Sequence, residues 1–270
     1  MLTETYQGFT LDAVMRIFHQ ILGGFLGLGL ILSAPVLAAT DEIQVYDGEI
    51  VKPGAFGLTV HNNYTFKGLT TPDYPGGTID HHSLNGVPEF AYGLKDWWEL
   101  GLYAPVYTID KSGSAHLDSV KLRSLFVRPN AAEQTFFYGL NFELSYNSKR
   151  WDPTQFSGEM RPIIGVRLGQ VDLIFNPILD TDFRGGIAHL TFAPAERIAY
   201  NFSEDFALAL EHYADFGALS HFEPSAGQSQ SLFAVVDTKI GSASVDVGIG
   251  RGFTAASDRW VAKLIVSFDL

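Results

Sequence analysis

The sequence reads as an all-β protein, a transmembrane antiparallel up-and-down β-barrel of about twelve strands with short turns at one end and longer loops at the other. Three patterns carry that reading. Apolar and polar residues alternate with period two in segment after segment, brief connections take turns with longer ones, and aromatic residues gather at strand ends.

The chain of 270 residues opens on an apolar run, Ile21 to Leu32, followed by the small-residue stretch Ser33 to Ala39. That run is too short for a bilayer core of roughly 30 Å and has the form of a secretory leader. Residues 1–39 are therefore expected to be a signal peptide cleaved after Ala38 or Ala39, with Met15 a possible true start because Glu4 and Asp12 are unusual ahead of such a run. An acidic stretch at 40–54 is expected as a periplasmic N-terminal segment, and 55–270 as the barrel.

Strand by strand, the division into faces is visible. Leu58, Val60, Tyr64 and Phe66 share one parity, and His61, Asn63, Thr65 and Lys67 the other. At the C-terminus Trp260, Leu264, Val266 and Phe268 oppose Val261, Lys263, Ile265 and Ser267. Segments of this kind centre near residues 61, 88, 103, 122, 141, 162, 175, 196, 211, 235, 247 and 265. Alternation alone also suits a soluble sandwich. The connections decide: turns at 94–97, 128–134, 168–171, 203–205 and 240–243 alternate with longer loops at 68–80, 110–116, 147–154, 181–188, 217–229 and 253–259, the arrangement of an outer-membrane barrel.

Aromatic belts agree. Tyr92, Trp98, Phe136, Tyr138, Tyr200, Phe202, Phe206 and Phe268 fall near the short turns; Tyr64, Phe66, Tyr146, Trp151, Phe156, Phe216, Phe253 and Trp260 fall near the long loops. Pro88, Pro105, Pro162 and Pro177 lie inside strands, where bulges are the expected remedy for the missing donors. Glu196 sits on the apolar parity beside Pro194, which predicts a register shift.

The polar parity is the expected lumen wall. Its charges, Glu89, Glu99, Lys121, Arg123, Glu143, Glu159, Arg161, Arg167, Arg197 and Glu211, are the candidate selectivity residues. Lys121 and Arg123 fall between Glu99 and Glu143, and Arg161 and Arg167 near Asp172. Gly93, Gly139, Gly165, Gly248 and Gly250 on this parity offer room for water. The resulting expectation is a narrow or partly occluded passive channel for small solutes, with a sealed structural or adhesive barrel as the alternative. The segment from Asp41 to Pro53 is expected to be a tether; folding into the periplasmic mouth is the other reading.

Enzyme and metal chemistry have thin support. His81 and Ser83 share a parity and loosely resemble the histidine-x-serine segment of outer-membrane phospholipases and deacylases, but no acidic partner is apparent. His61, His81 and His82 have no metal-ligand spacing. Neither catalytic nor metal-binding residues are expected, and no cofactor. The formal charge of −12 argues against nucleic acid as a partner.

The segments Asp41 to Asp47, Thr71 to Gly76, Pro88 to Leu94 and Gly250 to Thr254 resemble the outer-membrane barrels grouped as the MetA-pathway of phenol degradation family. That resemblance implies a passive route for small, including aromatic, molecules and carries no binding residue with it. Expected partners are outer-membrane lipid, a small-molecule solute and the barrel-assembly machinery, addressed through the last strand, although Leu270 stands where a terminal aromatic is usual and Phe268 comes two residues earlier.

Overall fold

A computed structural model describes residues 41–270; the expected leader lies outside them. The strands are β1 (Phe56–Lys67), β2 (Leu84–Lys95), β3 (Trp98–Ile109), β4 (Ala115–Val127), β5 (Phe136–Asn147), β6 (Phe156–Leu168), β7 (Val171–Asn176), β8 (Leu179–Thr181), β9 (Thr191–Phe192), β10 (Ala195–Ser203), β11 (Phe206–Asp215), β12 (Ser229–Ile240), β13 (Ala243–Gly252) and β14 (Trp260–Asp269). Neighbouring staves pair antiparallel, and β1 pairs with β14, which closes the sheet. β7 with β8, and β9 with β10, are each one stave broken at a proline, so the closed barrel has 12 staves. Closure is what a lipid environment demands, since it leaves no backbone edge without a partner.

The faces sort as the parity predicts. His61, Asn63, Thr65 and Lys263, the ladder partner of Asn63, are buried inside. Leu122, Tyr138, Leu144, Tyr146, Phe202 and Leu210 stand outward and exposed. An apolar belt of this extent on a closed sheet needs hydrocarbon around it. Turn-end aromatics associate with one another on the outer wall, as in Tyr200 with Phe202 at 4.8 Å and Phe136 with Tyr138 at 6.1 Å. This is the fold of an outer-membrane β-barrel, and the outer membrane is its place.

The prolines behave in two ways. Around Pro88 and Pro105 the register slips, between Gly86 and Glu89 in the β2–β3 ladder and between Tyr103 and Val106 in β3–β4, as the bulge expectation has it. Pro162 and Pro177 need no bulge. The pairs Ile164–Phe175 and Met160–Leu179 bracket them in unbroken register, so the two prolines face each other. On the next ladder Asn176–Ala195 and Leu179–Phe192 put Pro194 opposite Pro177 in the same way. Three prolines in a row concentrate the missing donors in one place and leave the staves aligned.

Glu196 corrects a second expectation. The β10–β11 register runs unbroken from Ala195–Tyr213 to Asn201–Ala207, and the slip comes later, at Ser203. Glu196 keeps its outward position because His212, directly opposite, holds its carboxylate at 2.8 Å. A cross-strand partner supplies what a register shift was expected to supply.

Candidate functional site: a plugged lumen

Residues 41–53 enter the barrel from the turn end and run through its interior, which corrects the tether expectation. Ile43, Val45 and Tyr46 are all buried. Ile43 packs among Ala199, Ala209, Phe233, Val235 and Val261, and Val45 and Tyr46 among Leu125, Phe137, Ile163 and Ile174. The segment alternates polar and apolar residues because it lies between two walls that are themselves part polar and part apolar. A water-soluble tail would have no use for three apolar side chains in four residues.

Most of its polar groups find partners on the wall. Lys121 Nζ lies 2.7 Å from Asp41 Oδ2, and Asn63 Nδ2 donates to the Asp41 carbonyl at 3.0 Å. Arg161 donates to Glu42 Oε1 at 3.1 Å and to the Gln44 carbonyl at 3.2 Å, with its guanidinium 4.3 Å from the Tyr46 ring centroid. The side-chain amide of Asn176 brackets Tyr46, accepting from its N–H at 2.7 Å and donating to its carbonyl at 3.0 Å. The Tyr46 hydroxyl meets that of Tyr103 on β3 at 2.6 Å. Lys263 Nζ donates to the Ile43 carbonyl at 3.3 Å, Arg167 to the Asp47 carbonyl at 3.2 Å, and Glu99 accepts from Val51 N–H at 2.5 Å. A backbone held at this many points is a built component of the interior.

The ten charges read from sequence as lumen residues find their partners inside the barrel, and five of them, Glu89, Glu99, Arg123, Arg167 and Arg197, line the vestibule at the turn end. Arg123 bridges Glu89 and Glu99, with His61 Nε2 at 3.3 Å from Glu89. Arg161 forms a two-point pair with Glu159 at 2.7 and 3.0 Å. Lys121 reaches Glu143 at 3.8 Å as well as Asp41. Arg197 meets Glu211 and Asp237. The pairing of Lys121 and Arg123 with Glu143 and Glu99 follows the strand order, as expected; the proximity of Arg161 and Arg167 to Asp172 is not used. Arg167 donates to the carbonyls of Ala131, Gln134 and Asp47, and Asp172 accepts from Asn201.

At three of the inward glycines the space is filled by neighbouring groups. A Cβ on Gly165 would fall within the Phe137 ring, and one on Gly250 within reach of the Phe233 ring at closer than van der Waals contact. Gly93 is crossed by the backbone of the leading segment, whose Val51 and Lys52 carbonyls occupy the place its Cβ would need. These positions are footprints of rings and of the plug.

At the loop end a second closure exists. Trp151, expected in the outer aromatic belt, is instead 6 % exposed and packs on Val87, Tyr103 and Val106 inside the barrel. Its loop is fixed by Arg150 on Asp118 at 2.8 Å and by Tyr74, whose hydroxyl donates to the Arg150 carbonyl at 2.9 Å. Below the plug, a vestibule of about 560 Å³ opens at the turn end, bounded by residues 44–51 of the plug and by the wall from β10 to β14 and β1 to β4, with Arg167 of β6 and Asp172 and Ile174 of β7.

The hydrolase and metal alternatives gain no geometry. Ser83 is fully buried and its hydroxyl donates to the Asp80 carbonyl at 2.8 Å, while His81 Nδ1 accepts from Gly68 N–H at 3.3 Å and its ring lies against His82. His61 faces Val87 in the ladder and belongs to Glu89. Among the described residues no group of three potential ligands could hold a metal ion.

Sequence reasoning missed Asp41, Glu42, Tyr46, Asn176 and Trp151 as interior residues. A usable signal was present in the first three: an extended acidic segment with apolar residues at Ile43 and Val45 is amphipathic, and an amphipathic strand needs a surface to lie on.

No protein-family model matches the chain, and no curated protein matches it. Solved structures do. The chain is similar to the COG4313 outer membrane channel from Pseudomonas putida F1 (TM-score 0.57, 13% identity, 85% of this chain and 100% of that one). It is also similar to the NanC porin (TM-score 0.53, 9% identity, 79% of this chain and 100% of that one) and to the KdgM porin (TM-score 0.51, 9% identity, 79% and 99%). At these identities the likeness is one of fold: a barrel of the outer-membrane channel and porin type. Nothing in the comparisons bears on the MetA-pathway family.

Proposed function

We propose that this protein is a narrow passive channel for small solutes, closed at rest by its own N-terminal segment. The observation that carries the reading is the way residues 41–51 are held. They are fixed by side-chain ion pairs and hydrogen bonds to the wall, and among the described residues the chain passes from them into β1 through the turn at Pro53 and Gly54. A barrel serving only as a scaffold could fill its interior with wall side chains. One filled by a separate segment that pairs with no stave has a part that can leave without breaking any ladder pair. The fold shared with channels and porins supports the same reading, and the open vestibule below the plug gives a solute somewhere to go.

Planar-bilayer recording tests it. Wild-type protein should give small, infrequent current steps. Asp41→Asn/Glu42→Gln, which weakens both ion pairs of the plug, should give longer and larger openings. A correctly folded sample that passes no current in either form would remove the channel reading and favour the sealed barrel. An aromatic solute is the finer expectation, and liposome uptake of a phenolic probe, compared with a non-aromatic solute of equal size, checks it.

A further inference from the structure

The ions of the interior are unequal in number. Five cations, Lys121, Arg123, Arg161, Arg197 and Lys263, each engage at least two carboxylates, and those carboxylates number nine. Two oxygens of that set are buried without a donor: Glu42 Oε2, on a side chain 3 % exposed, and Asp246 Oδ1.

The vestibule wall shares four of these carboxylates and two of these cations, and it adds six further carboxylates, Asp47, Glu49, Asp172, Glu204, Asp205 and Asp269, against two further cations, Arg167 and Lys239. All four cations are occupied. Arg123 and Arg197 hold carboxylates, Arg167 holds backbone carbonyls, and Lys239 holds Asp205 at 3.2 Å. An anion arriving there meets cations already engaged, with only the buried Nε–H of Arg123 unpartnered, whereas a cation meets carboxylate oxygens with lone pairs to give. Low-dielectric walls around such a cleft concentrate ions of the opposite sign.

We propose that the conduit prefers cations to anions, the solute class being small cations, metal or organic ammonium. The inference rests on the channel reading and adds the sign of the charge it accepts. Selectivity lies in the surplus of carboxylates: the paired set around the plug, in which Glu42 and Asp246 each keep one oxygen without a donor, and the further carboxylates that the vestibule adds.

Reversal potentials in an asymmetric KCl gradient test this. Wild type should show a cation-to-anion permeability ratio of roughly tenfold. In Glu204→Gln/Asp205→Asn/Asp269→Asn, three exposed positions at the vestibule rim, the ratio should fall severalfold while conductance persists. Choline in place of potassium separates the two cation types: continued current extends the class to organic ammonium, and its loss with potassium selectivity intact confines the class to small ions. Anion-selective or indifferent current in wild type, or a ratio that the rim variant leaves unmoved, would overturn the inference and leave the channel reading standing. Absence of current in wild type and in Asp41→Asn/Glu42→Gln alike would remove both.

Discussion

Lys121 on β4 and Asp41 on the leading segment meet at 2.7 Å inside the barrel, an ion pair between the wall and the part that fills it. Both side chains are mostly buried, at 14 % and 6 % exposure. Such a pair is costly to break from one side only, because the remaining charge is left in a poor solvent, at about 3–5 kcal/mol. Lys121→Met should therefore undock the start of the plug. The chain contains no cysteine, so a single Val45→Cys reports the event cleanly. Its maleimide labelling should be slow in the wild-type background and faster by an order of magnitude or more when Lys121→Met is added. Equal labelling rates would mean that the pair does not hold the segment.

Trp151 closes the other end. Its ring fills the space above Val87, Tyr103 and Val106, and Trp151→Ala should cost the docking of that loop about 3–5 kcal/mol. The barrel itself should keep its stability, since no ladder pair involves Trp151. The expected signature is larger conductance with unchanged heat-modifiable mobility on gels. Loss of folding, or unaltered current, would count against a lid.

Glu49, on the segment where it leaves the lumen and outside the strands, has its carboxyl pushed up to about 7, first by the Asp47 carboxylate beside it and then by desolvation in the vestibule. The sign follows from linkage. An acid whose folded value exceeds its unfolded one favours the docked state at low pH, and that contribution is lost as pH rises from about 4.5 towards 7. Docking should thus loosen across that window, read as rising Val45→Cys labelling after correction for the reagent's own pH dependence. Glu49→Gln should flatten the profile. A profile unchanged by that substitution would place the titrating group elsewhere.

Barrel, strand number and facing are legible in the sequence because each follows from a local rule. Period two sets the faces, turn length sets the order, and both act within a dozen residues. Where the sequence misleads, the deciding partner is distant. Glu196 reads as a register conflict because His212 lies one stave away. Gly165 and Gly250 read as space because the rings of Phe137 and Phe233 arrive from neighbouring strands. The plug is hidden for the same reason at longer range: Asp41 and Lys121 are 80 residues apart, and only the closed barrel brings them together.

Phe137 and Gly165 offer the sharpest test of how full the interior is. Phe137 is completely buried, with the Arg167 guanidinium 4.0 Å from its ring centroid on one side and Gly165 against the ring. Phe137 and Gly165 are also direct ladder partners, so neither can move without bending a stave. Gly165→Ala places a methyl group inside the ring's present volume and should destabilise by about 1–3 kcal/mol through overpacking. Phe137→Leu alone should also destabilise, by removing part of the ring's contacts. Together the two should cost less than they do separately, because leucine vacates part of the space that the alanine methyl needs, and contacting residues couple. Urea unfolding from detergent or lipid vesicles gives the three differences. Strict additivity would show that the interior has slack at this point, and with it room for water beside the plug.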